Sequence, residues 1–402
     1  MRNQNKLLSA RALARETHLG HGAPNKLQHP RIWKSVIAPA VGAVCSLIAL
    51  GSLLFPTIVQ AEGFHRTRDF NKLGNLLISD QFNNRVIEVS PAGNIIWSFG
   101  LGPNDFSPKS IIGVNDAQRV GRFTLMAGTG TPAGVIPQAP NGASDNRVIL
   151  VDPSGRIVWQ YGRFGQTGSG RNQLNTPVQS TWLPNFHVLI TDQGNGRIIE
   201  VNLSKKIVWQ YPGSNTNASD QLNSPNSAEL LENGNILIAD ENNNRAIEVN
   251  RADQIVHTLS AGGTVGAVAF ASRLDNGNTL LTDAGNSRAV EVDATDNVVW
   301  QFVTNTETNS VAAPLPTRAV RLHDGDTLIS DQFNNRVIRV NATGQIVASY
   351  GLPLAGGGAI GNNVGYDLHT TQKGLYSPYD AKVVHDYTGL TPPFDFDEDA
   401  DD

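Results

Sequence analysis

An all-β protein is what the 402 residues predict, on three observations. Only 17% of them are charged while 39 are glycine, a balance that suits short strands and tight turns better than helices. Short runs rich in Val and Ile alternate with clusters of Asn, Gly and Pro. The phrase "LISDQFNNRVI", Leu77 to Ile87, returns unchanged from Leu328 to Ile338, 251 residues later.

The first 61 residues stand apart from that pattern. Ser35 to Ala61 carries no charge, follows Arg31 and Lys34, and has the apolar centre "VGAVCSLIALGSLLF". Pro56 then breaks the run, and Val59-Gln60-Ala61 has the small-residue pattern of a signal-peptidase site. This reads as an export signal and places the remainder outside the cytoplasm, secreted or periplasmic. Its 27 uncharged residues are also enough to span a bilayer, so an uncleaved anchor stays open as the alternative and as the one route to a membrane. The single cysteine, Cys45, lies inside this segment, so residues 62–402 hold no thiol. They carry 24 Lys and Arg against 35 Asp and Glu, and a net charge of -11 argues against nucleic acid as a partner.

From Gly74 onward one unit recurs: "GNLLISDQFNNRVIEVSPAGNIIWSFG" and its variants beginning near Asp145, Phe186, Gly234, Gly277 and Gly325. The equivalent positions Asn84, Asn146, Gly196, Asn244, Ser287 and Asn335 are separated by 62, 50, 48, 43 and 48 residues, the pitch of a propeller blade. Each unit holds three β-runs, such as "LLISD", "RVIEV" and "IIWSFG". A fourth precedes each glycine pair: "SPKSIIGV", "TPVQSTWL", "SPNSAELL", "GAVAFASRL" and "LPTRAVRL". Six units of four strands predict a six-bladed β-propeller over residues 62–390. The sixth such run, "SPYDAKVVH" from Ser377, follows the last unit and is expected to supply the inner strand of blade 1, closing the ring. A rival closure uses "HRTRDF", His65 to Phe70. Residues 391–402, with the acidic "DFDEDADD", read as a solvated tail.

The order Asp, short Asn/Gly turn, Arg resembles the NHL repeat family across roughly residues 64–385. Asp80 and Arg85, Asp192 and Arg197, Asp240 and Arg245, Asp283 and Arg288, and Asp331 and Arg336 keep it at a five-residue spacing. A site is usually asymmetric, whereas a device repeated in almost every unit is structural, so these pairs are expected to brace turns. Trp97, Trp159, Trp209 and Trp300 recur on the outer strand and are expected between blades; Trp182 breaks that column and is a ligand candidate. The histidines of residues 62–402 show no HxH or HExxH spacing, so no metal site is assigned. No G-x-S-x-G elbow, Walker loop or dinucleotide fingerprint occurs, and the cofactor is left unassigned.

Strand alternation sends the "QFNN" turns and the blade-to-blade crossings to one face, where the long segments Gly128 to Asp145, from Gly162, and from Gly351 also gather. Aligning units by their glycine pair puts the two residues after the proline, or after the position equivalent to it, at the channel mouth on that face. These are Lys109 and Ser110, Val178 and Gln179, Asn226 and Ser227, Ala269 and Phe270, Thr317 and Arg318, and Tyr379 and Asp380. Lys109 and Arg318 would suit an anionic or carbonyl-bearing ligand, with Asp380 as their counter-charge; bound water filling the channel is the alternative. The expected function is an exported, monomeric scaffold binding a small molecule, a glycan or a protein on the loop-rich face. The resemblance also implies an alternative, a propeller enzyme such as a lyase, a lactonase or hydrolase, or an arylsulfotransferase-like protein, acting at the channel mouth.

Overall fold

The computed structural model describes residues 69–214, 216–307, 310–351 and 374–393. The export segment with Cys45, the glycine-rich stretch Ala355 to Asn363 and the acidic tail from Asp395 lie outside them, as does most of "HRTRDF". Among the described residues no helix is long and apolar enough to cross a membrane.

Six four-stranded antiparallel sheets form the ring of a β-propeller. Blade 1 takes Leu76–Asp80, Arg85–Val89 and Ile95–Phe99 from the start of the ring and its inner strand, Pro378–Val383, from the end. Leu77 faces Lys382 and Ile78 faces Ala381 in that closing pair, so the C-terminal strand closes the ring. The other inner strands are Val114–Val120, Pro177–Trp182, Pro225–Leu230, Val268–Arg273 and Arg318–Arg321, in blades 2 to 6. Strand two of each blade is buried on both faces and reads as a nearly continuous apolar run, as in Ile236–Asp240.

The repeated turn shows why its letters recur. Asp80 ends one strand and accepts a hydrogen bond from Arg85 Nε at 2.7 Å, while its other oxygen takes the N–H of Tyr376 at 2.8 Å. Asn84 sits at φ 49°, a left-handed conformation that Asn and Gly tolerate best. Its side chain accepts the N–H of Gly113 at 2.9 Å, clasping the next blade. Asn146 clasps Thr176, Asn244 clasps Ala267 and Asn335 clasps Ser377, each at 2.8 Å. The remaining Asp/Arg pairs repeat the first, at 2.7 or 2.8 Å.

Blade 2 reaches the same end by another route. Gly128 stands where the other blades carry the Asp, yet Asp145, on the Arg147 strand, accepts from Arg147 Nε at 2.5 Å and from Ile112 N at 2.8 Å. A Cβ on Gly128 would lie 2.6 Å from the Asp145 Cγ, so the relocated carboxylate occupies the vacated space. Beyond this point the second and third strands run on to Thr131 and from Ala143. The tip of that hairpin places Ile136 and Ala139 against Phe82, Tyr376 and Phe333, the aromatic residues beside the closing seam.

Candidate functional site

The inner strands of a propeller each present one unpaired edge to the channel, and its N–H groups need acceptors. The column that the repeat leaves variable supplies them from blade to blade. Asp380 accepts from Ala117 N at 3.3 Å, Asp116 from Ser180 N at 3.0 Å, Gln179 from Ala228 N at 2.6 Å and Ser227 from Ala271 N at 3.2 Å. Phe270 and Arg318 have no acceptor to offer in this way, and they fill the channel instead. The Arg318 guanidinium lies 5.1 Å from the Phe270 ring centroid and 5.0 Å from that of Tyr379. It donates to Asn226 Oδ1 at 3.0 Å, to the Ala269 carbonyl at 3.2 Å and to the Val178 carbonyl at 3.4 Å. At 1% exposure Arg318 is a plug tied to several blades, and a solvated cation at a mouth is ruled out for it.

Tyr379 and Asn226 exchange hydrogen bonds at the same level, and burial together with the nearby Glu241 charge pushes the Tyr379 hydroxyl up to about 12, so it stays a donor. A second layer lies deeper. Lys382 Nζ bonds Asp116 Oδ1 at 2.8 Å and Asp380 Oδ2 at 2.5 Å. Burial works against the ammonium, but these two carboxylates outweigh it and hold its pKa above the ordinary value. Asp380 is therefore the counter-charge of Lys382 by contact. Below this layer a cavity of about 20 Å³ remains, room for a single water, beside Gln118, Ser180 and Glu229. Burial pushes the Glu229 carboxyl well above its usual range.

The chain closes the channel at its far end. After the last strand, Tyr387 donates to the Arg119 carbonyl at 3.4 Å, Gln118 donates to the Thr391 carbonyl at 3.3 Å, and Thr391 Oγ1 bonds Leu230 at 3.0 Å. Thr391, the first residue of the stretch read as a solvated tail, is buried.

Of the expected site residues, the structure brings Asn226, Arg318 and Tyr379 together, with Gln179 and Asp380 on adjoining inner strands. It removes three. Register pairs Val114 with Gly128 as it pairs Pro177 with Asp192, so Asn115 and Asp116 hold the channel positions of blade 2. Lys109 and Ser110 lie earlier, on the crossing from blade 1: Lys109 is exposed, and Ser110 is buried with its carbonyl accepting from Arg147. The cue that misplaced them was Ser107-Pro108, which imitates the proline found at or just before most of the other inner strands. Trp182 packs with Trp159, Leu125 and Val188 in the seam between blades 2 and 3. There it is core, away from the channel.

One residue enters that the sequence did not single out. Glu241 opens the blade 4 turn at the position Gln81 holds in blade 1, partly exposed on the loop-rich face. Its Oε2 accepts from Asn226 at 2.9 Å and Gln193 at 3.3 Å, and burial raises its pKa against the opposing pull of Asn226 and Arg318. The readable signal was one acid in a column otherwise made of Gln and Ala. Among the described residues no group of three or more His, Cys, Asp or Glu is placed to hold a metal ion.

Fold and channel together define a six-bladed β-propeller with a self-filled axis. No family model and no curated protein matches its sequence. Among solved structures it is similar to a protein of unknown function from Bacteroides caccae, at 13% identity and a TM-score of 0.50, over 69% of this chain and 93% of that one. It is also similar to a catalytically inactive virginiamycin B lyase from Staphylococcus aureus with quinupristin, at 14% identity and a TM-score of 0.40, over 60% and 72% of the two chains. A streptogramin B lyase gives 15% and 0.41 over 70% and 75%. These likenesses are of fold alone.

Proposed function

We propose that the protein is an exported, NHL-like propeller that serves as a binding scaffold, meeting a protein or glycan partner on its loop-rich face. The observation that carries this reading is the filled channel. Arg318 plugs the axis, the Tyr387–Thr391 stretch caps the far end, and among the described residues the cavity between them is about 20 Å³, room for a water and not for a ligand. The residues exposed to a partner on this face are on the loops. Pro140 and Asn141 at the hairpin tip, Arg163 and Arg171 on the crossing to blade 3, and Asn242 and Asn243 in blade 4 are all exposed. Loops on a rigid frame are the usual seat of recognition.

Site-specific photo-crosslinkers at Pro140 and Arg171, compared with one at Ala342 in an outer turn of the opposite face, test the reading in the producing cell. A discrete cross-linked species from the first two and none from Ala342 is the expected result. The same pattern from all three positions, or none from any, refutes it.

A second reading, an enzyme acting at the mouth, is favoured by Glu241 alone. A partly exposed carboxyl held by two amides and raised by burial suits a general acid. Under that reading Glu241→Gln lowers kcat more than it changes KM; under the scaffold reading there is no turnover to lose.

A further inference from the structure

The six seams between blades are built from three positions, and one seam has lost all three. On the third strand, Glu88, Leu150, Glu200, Glu248, Glu291 and Arg339 are equivalent, and they face Trp97, Trp159, Trp209, His257, Trp300 and Ala348 on the outer strand. Five blades thus offer a ring and blade 6 offers a methyl group. The inner strand of the following blade completes each seam, with Arg119, Trp182, Leu230, Arg273, Arg321 and, for the closing seam, Val383.

Where the full set is present the parts interlock. Arg119 pairs with Glu88 at 2.6 Å and stands 5.0 Å from the Trp97 ring centroid; Arg321 pairs with Glu291 at 2.9 Å and stands 5.2 Å from that of Trp300. Blade 3 keeps the design with an arginine from elsewhere, Arg251, paired with Glu200 at 2.6 Å and 4.9 Å from Trp209. In blade 6 the charges are inverted. Arg339 replaces the glutamate and is held by Asp324 and, at 2.6 Å, by Asp326, where other blades turn asparagines on a glutamate. An arginine from blade 1 would now meet a like charge, and Val383 stands in its place.

The closing seam is left with a cavity of about 130 Å³. Leu76, Leu322, Leu328 and Val383 form apolar walls, with Arg339, Asp324 and Tyr350 beside them. His323 and Asp386 stand at the rim, joined by a 2.9 Å contact. Its volume is of the order that holds one benzene-sized ring, roughly 150 Å³.

We propose that this cavity binds a small compound with a single aromatic ring, which rests on the leucine and valine walls and lays its face toward the Arg339 guanidinium. The seam chemistry of the other blades argues for the class: a flat ring against a guanidinium recurs at Trp97, Trp209 and Trp300, there with an arginine from the following blade and here with Arg339 of the blade itself. The site lies apart from the loop-rich face and is independent of the scaffold reading.

The test is saturation-transfer and intermolecular-NOE NMR on the full chain with phenol and with cyclohexanol, its saturated counterpart. Phenol is expected to bind saturably, with contacts to the methyl groups of Leu322, Leu328 and Val383, and cyclohexanol about tenfold more weakly. Ala348→Trp, which sets a ring opposite Arg339 as in the other blades, is expected to compete for the guanidinium face, abolish phenol binding and raise Tm. Absence of saturable phenol binding, equal binding of cyclohexanol, NOEs to methyls elsewhere, or a folded Ala348→Trp variant that binds phenol like wild type would each overturn the proposal. The wild-type measurements stand alone if the variant fails to fold.

Discussion

Gln332 Nε2 donates to Gln81 Oε1 at 2.9 Å, and Gln81 Nε2 donates in turn to Asn115 Oδ1 at 2.8 Å. The two glutamines hold the same place in the two copies of "LISDQFNNRVI", and ring closure sets them side by side across the seam of blades 6 and 1. Identical letters 251 residues apart are therefore bonded neighbours.

Gln81 is the hub of that chain, since Ser377 Oγ also donates to its Oε1 at 3.2 Å. Gln81→Ala leaves three partners unpaired and is expected to cost about 2 kcal/mol, against about 1 kcal/mol for Gln332→Ala. The double variant should be no worse than Gln81→Ala. Urea unfolding of the four chains forms the cycle, and strict additivity would show that the contact carries no energy.

Arg318→Met is expected to destabilise the ring by about 3 kcal/mol, because the carbonyls of Ala269 and Val178 lose this donor and Asn226 Oδ1 keeps only the Tyr379 hydroxyl. Arg318→Lys should recover little of this, since a single ammonium cannot span the acceptors that the guanidinium fork reaches. Thermal unfolding of both variants decides it. A methionine variant as stable as wild type would remove Arg318 from its role as plug.

In blade 2 the carboxylate has moved strands, and the move is reversible on paper. Gly128→Ala drives a Cβ to 2.6 Å from the Asp145 Cγ and should cost about 2 kcal/mol. Asp145→Gly should cost as much by stripping Arg147 of its partner. Gly128→Asp combined with Asp145→Gly restores the arrangement of the other blades and is expected to recover most of the loss, which chemical denaturation would read directly.

Burial raises the Asp331 carboxyl to about 6 despite Arg336 and Asn334 beside it. In the unfolded chain the same group titrates near about 3.9. Between those values the folded chain keeps a proton that the unfolded chain has released, so the contribution of this group to stability is full below about pH 4 and is lost as pH rises through about 6. Asp331→Asn should remove that slope from the difference in Tm across pH 4 to 7, whatever its constant cost; a slope unchanged by the substitution assigns it to another group.

Much of this architecture could be read from the chain because repetition separates structural roles from particular ones. The Asp/Arg braces and the outer tryptophans recur, and they are braces and seam packing. Spacing also located the inner strands of five blades, blade 5 without a proline, and it failed in blade 2, where Ser107-Pro108 imitates the opening while the strand Val114–Val120 starts later and turns sharply at Gly121-Arg122. The filling of the channel was not legible. A column of equivalent positions says which side chains face the axis, but not that Arg318 is long enough to cross it, nor that Gln179 and Ser227 serve a neighbour's backbone. Blade 6 carried a signal in Arg339 and Ala348, but its meaning as an empty seam depends on Val383, which comes 35 residues after Ala348.

The closing strand has a consequence in time. Leu76–Asp80 emerges from the ribosome about 300 residues before Pro378–Val383, the strand that pairs its open edge. At roughly 5–20 residues per second that edge stays bare for on the order of tens of seconds. An unpaired apolar strand is a template for aggregation over such an interval. A chain of this design is best kept from pairing that edge with another chain until it is whole.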